Sequence, residues 1–179
     1  MGKVCRVLKP LDTIPSGSGI EISRRTLESL RDTKWLKSDI INWFYEWWGE
    51  RSGGSVNRKP YVKKTGYYKC HFLNTYFYAK LMEKGRFSHA RVKKWTNKID
   101  VFEIDKVILP CNLSDSHWVV AVLDNKKKRI EILDSLGGGN VSLKQNLLRW
   151  LQEEHMARKG NALPAEWTTW SPPDESLAV

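Results

Sequence analysis

The sequence predicts an α+β domain, and three observations carry that prediction. Apolar residues recur at helical spacing as far as residue 99, three short β-branched runs follow between 107 and 133, and a last helical stripe begins at 143. The 179 residues are 41% hydrophobic and 28% charged, enough for one domain with a buried core, which excludes disorder along the whole chain.

Residues 1–19, with Pro15-Ser16-Gly17-Ser18-Gly19, read as an irregular N-terminal segment, and Ile20-Glu21-Ile22 alternates like a short strand. With Ser38 as N-cap, Ile40, Ile41, Phe44, Trp47 and Trp48 share one helical face. Residues 49–60, containing Gly53-Gly54-Ser55, read as a loop. Leu73, Phe77 and Leu81 repeat every fourth residue, with Gly85 as the stop, and Val92, Trp95 and Ile99 suggest another short helix. Val107-Ile108-Leu109, the run from Trp118 to Leu123, and Ile130-Glu131-Ile132-Leu133 are strand candidates, the last two joined through Asp124 to Arg129. Gly137-Gly138-Gly139 then breaks the chain. Ser142 and Gln145 match a capping box for a helix whose apolar stripe is Leu143, Leu147, Trp150 and Leu151. The sequence contains no internal repeat.

Several classes are excluded. The longest apolar run, Trp118 to Leu123, falls far short of the ~18 residues of a membrane span. Met1-Gly2-Lys3-Val4-Cys5-Arg6 offers no apolar signal region, and Arg6 stands where a myristoylation motif has Ser or Thr, so an intracellular soluble protein is expected. Cysteines 5, 70 and 111 include no Cys-x-x-Cys pair, which argues for reduced thiols and against a cysteine-rich zinc site. No metal or cofactor is expected.

The net charge is +10, and residues 55–98 carry all of it, with twelve Lys or Arg against the single acid Glu83. Two readings stand: a steering surface for a polyanion or acidic protein, or a solvated face. The interleaved rings, among them Tyr61, Phe72, Phe77 and Trp95, resemble a base-stacking platform, but their helical spacing favours the core.

Four histidines limit the search for a general base. A two-residue loop at Asn125-Lys126 would pair position 117 with 134, and a wider loop would still leave both at one end of the hairpin. Cross-strand neighbours lie ~4.5–5.5 Å apart at Cα, so Asp134 can hold the His117 imidazole in one tautomer, as in a nucleophilic triad. The alternative is two ordinary polar residues where strands meet solvent. His71, His89 and His155 have no evident carboxylate at the right offset and read as surface or partly buried. Cys111 reads as a core thiol, Cys70 as packed at a helix start, and Cys5 lies in the irregular segment.

Several segments together resemble the ubiquitin-like-protein-specific cysteine proteases, whose best known members process and remove SUMO. Trp35-Leu36-Lys37-Ser38-Asp39-Ile40-Ile41-Asn42 resembles the family's Trp-Leu-Asn-Asp-Glu-x-Ile-Asn, and the stretch from His71 to Leu81 its Phe-Phe-Tyr-x-x-Leu helix. Arg91 to Asp105 is similar to its Arg-x-Trp stretch. Ile108 to Leu113, His117-Trp118 and Leu133-Asp134-Ser135-Leu136 resemble its most diagnostic part. The likeness runs in order from about Ile20 to Trp150.

The resemblance implies a papain-like cysteine protease fold in which His117 is the general base and Asp134 its orienter. It implies that Trp35 and Trp118 wall a narrow tunnel for a Gly-Gly tail. SUMO or another ubiquitin-like modifier, with its conjugates, is then the partner of a nuclear or cytoplasmic monomer that needs neither membrane nor nucleic acid. Ser38 stands where the family often has an Asp that contacts substrate, which leaves the modifier open. The family continues with an oxyanion-hole Gln and Asn-Gly-x-Asp-Cys-Gly, whose Cys is the nucleophile, while here no Cys follows Cys111. Residues 20–170 are therefore expected to be a partial protease domain, 171–179 a tail outside the family pattern, and the chain as given inactive.

Overall fold

The computed structural model describes residues 13–15, 21–52, 68–138 and 140–172. The expected loop from 53 to 60, the basic residues between 55 and 67, Cys5, and the tail from 173 lie outside them.

A five-stranded sheet is the centre of the fold, in the order β3 (Cys70–Phe72), β4 (Lys106–Leu113), β5 (His117–Asp124), β6 (Arg129–Leu133) and β7 (Thr168–Trp170). The middle three strands are antiparallel, as their short connections allow, and the two outer pairs are parallel. Thr13–Pro15 (β1), inside the segment read as irregular, pairs with Glu21–Ser23 (β2), the alternating strand. After β2 come α1 (Arg24–Leu27), a 3₁₀ turn, and α2 (Ser38–Ser52); α3 (Tyr76–Leu81), two 3₁₀ turns and α4 (Lys93–Thr96) lead into β4. The chain crosses from β6 to β7 through α5 (Val141–Lys159).

Leu143, Leu147, Trp150 and Leu151 of α5 are buried, as their spacing predicts, and the Trp150 ring meets Phe77 edge-on at 5.0 Å. Val107, Leu109, Val119, Ala121, Ile130 and Ile132 supply the sheet's side of this core. Phe77 and Leu81 are fully buried and Trp95 packs against the same cluster, so these rings of the basic segment belong to the interior.

Five local expectations need correction. Ser38 is the first helical residue rather than the cap, because the Lys37 carbonyl already accepts from the Ile41 N–H, and the helix runs through Gly49 to Ser52 where a loop was read. Cys70–Phe72 is a strand, although the sequence placed Cys70 at a helix start: pairing with β4 outweighs the every-fourth-residue pattern that begins at Leu73. The Ser142/Gln145 capping box is not formed, since the chain enters α5 two residues earlier, at Asn140, in a left-handed conformation. His71 and His89 are buried, not superficial. β7 had no periodic signal: Thr168 and Thr169 are both polar and exposed, so Thr-Thr-Trp does not alternate, and its parallel partner lies across the whole of α5.

Candidate active site

The site is built by the β4–β5–β6 meander. Ser114 and Asp115 both take positive φ in the three-residue turn after β4, which returns the chain so that His117 opens β5 directly opposite Leu113. The β5–β6 connection is wider than the two-residue loop considered from sequence: Asp124 pairs with Arg129 and four residues lie between them. The Asp124 carboxylate accepts the N–H groups of Lys126 and Lys127, and the Asn125 amide donates to the carbonyls of Val101 and Ile104, which fixes the longer turn. The register is therefore shifted by two residues, and the ladder ends at Val120 and Leu133. His117 and Asp134 lie just beyond that end, where their side chains turn toward each other.

Nε2 of His117 and Oδ1 of Asp134 are 2.5 Å apart. Asp134 is buried, while His117 keeps about a quarter of its side chain exposed (23%), so the imidazole retains an open edge. Oδ1 also accepts the Leu136 N–H, at 3.0 Å, and Oδ2 accepts the Asn140 amide. Burial alone would raise the Asp134 carboxyl pKa, but the Leu136 N–H, His117 and Asn140 together outweigh it and hold the group below the usual carboxylate range. The carboxylate stays ionised at neutral pH.

Trp118, next along β5, donates its indole N–H to the Leu36 carbonyl at 2.9 Å, tying the segment before α2 to the sheet. Its ring lines an apolar cleft of about 390 Å³ with Leu36, Ile40, Phe44, Tyr45 and Pro110. Trp35, adjacent to the tied Leu36, is 75% exposed and lines a second depression with Arg25, Lys34 and Lys37.

Neither described thiol can serve as a ready nucleophile. Cys111 is wholly buried on β4 and burial drives its thiol far above the usual range; Cys70, half-buried, is also raised, chiefly by desolvation. Among the described residues no group of three or more His, Cys, Asp or Glu is arranged to hold a metal, and no helix is long and apolar enough to cross a membrane.

Sequence reasoning located His117 and Asp134 but missed Asn140 and the Leu36 carbonyl. The signal for Asn140 was present in the Gly-Gly-Gly-Asn run, since Asn is the non-glycine residue that best tolerates left-handed backbone. A backbone carbonyl leaves no mark in a sequence.

Residues 34–172 match the Ulp1 protease family, C-terminal catalytic domain. The chain is 33% identical over 160 residues to a sentrin-specific protease of Caenorhabditis elegans, covering 89% of this chain and 21% of that protein. It is 31% identical over 163 residues to sentrin-specific protease 2 of Rattus norvegicus, covering 90% and 25%. It thus spans about a fifth to a quarter of the length of these curated relatives. Among solved structures, the C-terminal Ulp1 protease domain in complex with Smt3, the yeast ortholog of SUMO, superposes with a TM-score of 0.68 at 26% identity, covering 93% of this chain and 69% of that one. A family match over most of the chain, joined to the same α+β architecture, leads to one conclusion: the chain belongs to the Ulp1 protease family.

Proposed function

We propose that this chain is the base-bearing and tail-recognising portion of a cysteine peptidase acting on SUMO or a related ubiquitin-like modifier and its conjugates, working as a monomer in the nucleus or cytoplasm. The observation that carries the reading is the 2.5 Å contact between His117 Nε2 and Asp134 Oδ1 at a hairpin end that stays partly open. With Nε2–H donating to the carboxylate, Nδ1 is left to take the proton of a thiol. The thiolate attacks the carbonyl after Gly-Gly, His117 returns the proton to the departing amine as the C–N bond breaks, and water hydrolyses the thioester. Asp134 is the orienter. By the family resemblance Trp35 and Trp118 are the residues that flank the tail, each from the depression it lines.

The family's Asp-Cys-Gly nucleophile segment is not in this sequence, and Cys70 and Cys111 are packed into the sheet. That placement favours, for the chain as given, tail binding without cleavage. The basic segment serves docking or solubility, since Phe77 and Leu81 are buried rather than presented to bases.

The test uses the purified 179-residue chain with mature SUMO, SUMO lacking its two C-terminal glycines, and a SUMO precursor. Binding that needs the Gly-Gly tail and weakens in Trp35→Ala and Trp118→Ala, without precursor turnover, is the expected result. Binding indifferent to the tail would overturn the recognition reading. Turnover abolished by Cys111→Ser would overturn the assignment of that cysteine to the core. Nanomolar, sequence-selective DNA binding at ~0.15 M salt, where non-specific affinities are only ~10⁻⁴–10⁻⁶ M, would replace both with a nucleic-acid function.

A further inference from the structure

Asn140 occupies the position before α5 where an Asn side chain ordinarily caps the helix, yet it makes no capping bond. Its backbone is left-handed, with φ +39° and ψ +45°, a region that non-glycine residues seldom enter. Its amide turns away from the helix and donates to Oδ2 of Asp134 at 2.5 Å. A second feature bears on the same contact from the other side. A Cβ at Gly138 would stand 3.1 Å from Asp134 Oδ2 and 3.3 Å from the Asn140 amide nitrogen, so the absence of a side chain there lets the two groups close on each other.

We propose that Asn140 is a positioning residue that sets the His117 tautomer through Asp134, a role that rests on the base-and-orienter reading above. A carboxylate held at one oxygen can swivel about its Cβ–Cγ bond. Asp134 is held at both: Oδ1 by His117 and the Leu136 N–H, and Oδ2 by Asn140. The second anchor keeps Oδ1 aimed at Nε2, so the Nε2–H form of His117 persists and Nδ1 stays unprotonated and open. Asn140 gives up its cap to do this. Gly138 supplies the room.

The experiment reads the tautomer itself, by ¹⁵N NMR of the imidazoles of the 179-residue chain at a pH where His117 is neutral. Asn140→Gly removes the amide while accepting the left-handed backbone, and there is no capping bond to lose. The expected result is a fall of several-fold to about tenfold in the ratio of Nε2–H to Nδ1–H at His117, the scale of one ordinary intramolecular hydrogen bond. Gly138→Ala leaves both partners chemically intact but forces them apart by a few tenths of an ångström, and is expected to give a smaller fall in the same direction. It also keeps the proposal testable should Asn140→Gly fail to fold. Asp134→Ala is the control and should lower the ratio at least as far as Asn140→Gly. An unchanged ratio in both Asn140→Gly and Gly138→Ala, with Asp134→Ala effective, would overturn the role of Asn140 alone. An unchanged ratio in Asp134→Ala would instead mean that the orienter reading of Asp134 has failed, and the proposal with it.

Discussion

His117 and His89 each meet a carboxylate through Nε2 at 2.5 Å, yet the two pairs are different objects. His89 and Glu154 are both buried, and Glu154 also takes the Thr96 hydroxyl and the Arg158 guanidinium. Arg158 in turn donates to the Thr96 carbonyl, closing a network that fastens the C-terminal half of α5 to α4 and the turn before it. Glu154 sits among the buried residues of α5, where a charge is tolerable because both carboxylate oxygens have donors, His89 at Oε2 and Thr96 and Arg158 at Oε1. His117 and Asp134 sit at a strand end, with neutral supporting donors and one imidazole edge exposed. A short His–carboxylate contact therefore does not identify a proton-transfer site by itself. What separates the two is whether the imidazole has a face left for substrate.

The largest expected effect breaks the closed pair. Glu154→Ala strands a buried imidazole and a guanidinium, and should cost about 3–5 kcal/mol in urea unfolding, the range for breaking a buried ion pair. Asp134→Ala, at a site water can reach, should cost only about 1–2 kcal/mol. Equal losses would erase the distinction between the two sites.

Acid titration should sharpen it. Burial opposes ionisation of Glu154, but the bonds from His89, Arg158 and Thr96 outweigh it and lower its pKa, as the supporting donors do for Asp134. A carboxyl whose folded pKa is depressed contributes stability that is complete above its unfolded value, about 4, and is lost as pH falls through the folded value. Stability should therefore decline below about pH 4. Both Glu154→Gln and Asp134→Asn should flatten that decline, and an unchanged decline in pH-dependent urea midpoints for either variant would contradict the lowered pKa of that carboxyl.

A smaller effect concerns chemistry at the ring. Diethyl pyrocarbonate should modify His117 in the folded chain while His89 stays protected until unfolding, as read by peptide mass mapping. Smallest of all, Trp118→Phe removes the bond to the Leu36 carbonyl along with part of the indole's apolar contact in the cleft, and should cost about 1 kcal/mol, measured by thermal unfolding. No loss at all would mean that this tie contributes nothing to holding the segment around Trp35.

The same contrast explains what was legible in the sequence. His117 and Asp134 could be paired on paper because a hairpin is a local device: two strands and a short turn constrain which residues share an end, and a two-residue error in register did not separate them. His89 and Glu154 stand 65 positions apart on elements whose packing is set by tertiary contacts, so no spacing rule joins them. The apolar stripe of α5 was readable since Leu143, Leu147, Trp150 and Leu151 recur with the helix, whereas its start was not, because Asn140 is engaged with Asp134 instead of the helix end. Of the three-residue strands, Glu21–Ser23 is legible from its alternation, whereas Cys70–Phe72 and Thr168–Trp170 exist through pairing with distant parallel neighbours, which the local sequence does not show.

The central claim is that the open pair, and not the closed one, faces the modifier's tail. Imidazole NMR of the 179-residue chain, titrated with SUMO ending in Gly-Gly and with SUMO lacking those two residues, tests it most directly. The account predicts that only the tailed form shifts the His117 resonances while His89 stays unmoved in both titrations. Tail-dependent binding that leaves His117 unperturbed, or that moves His89 equally, would contradict it.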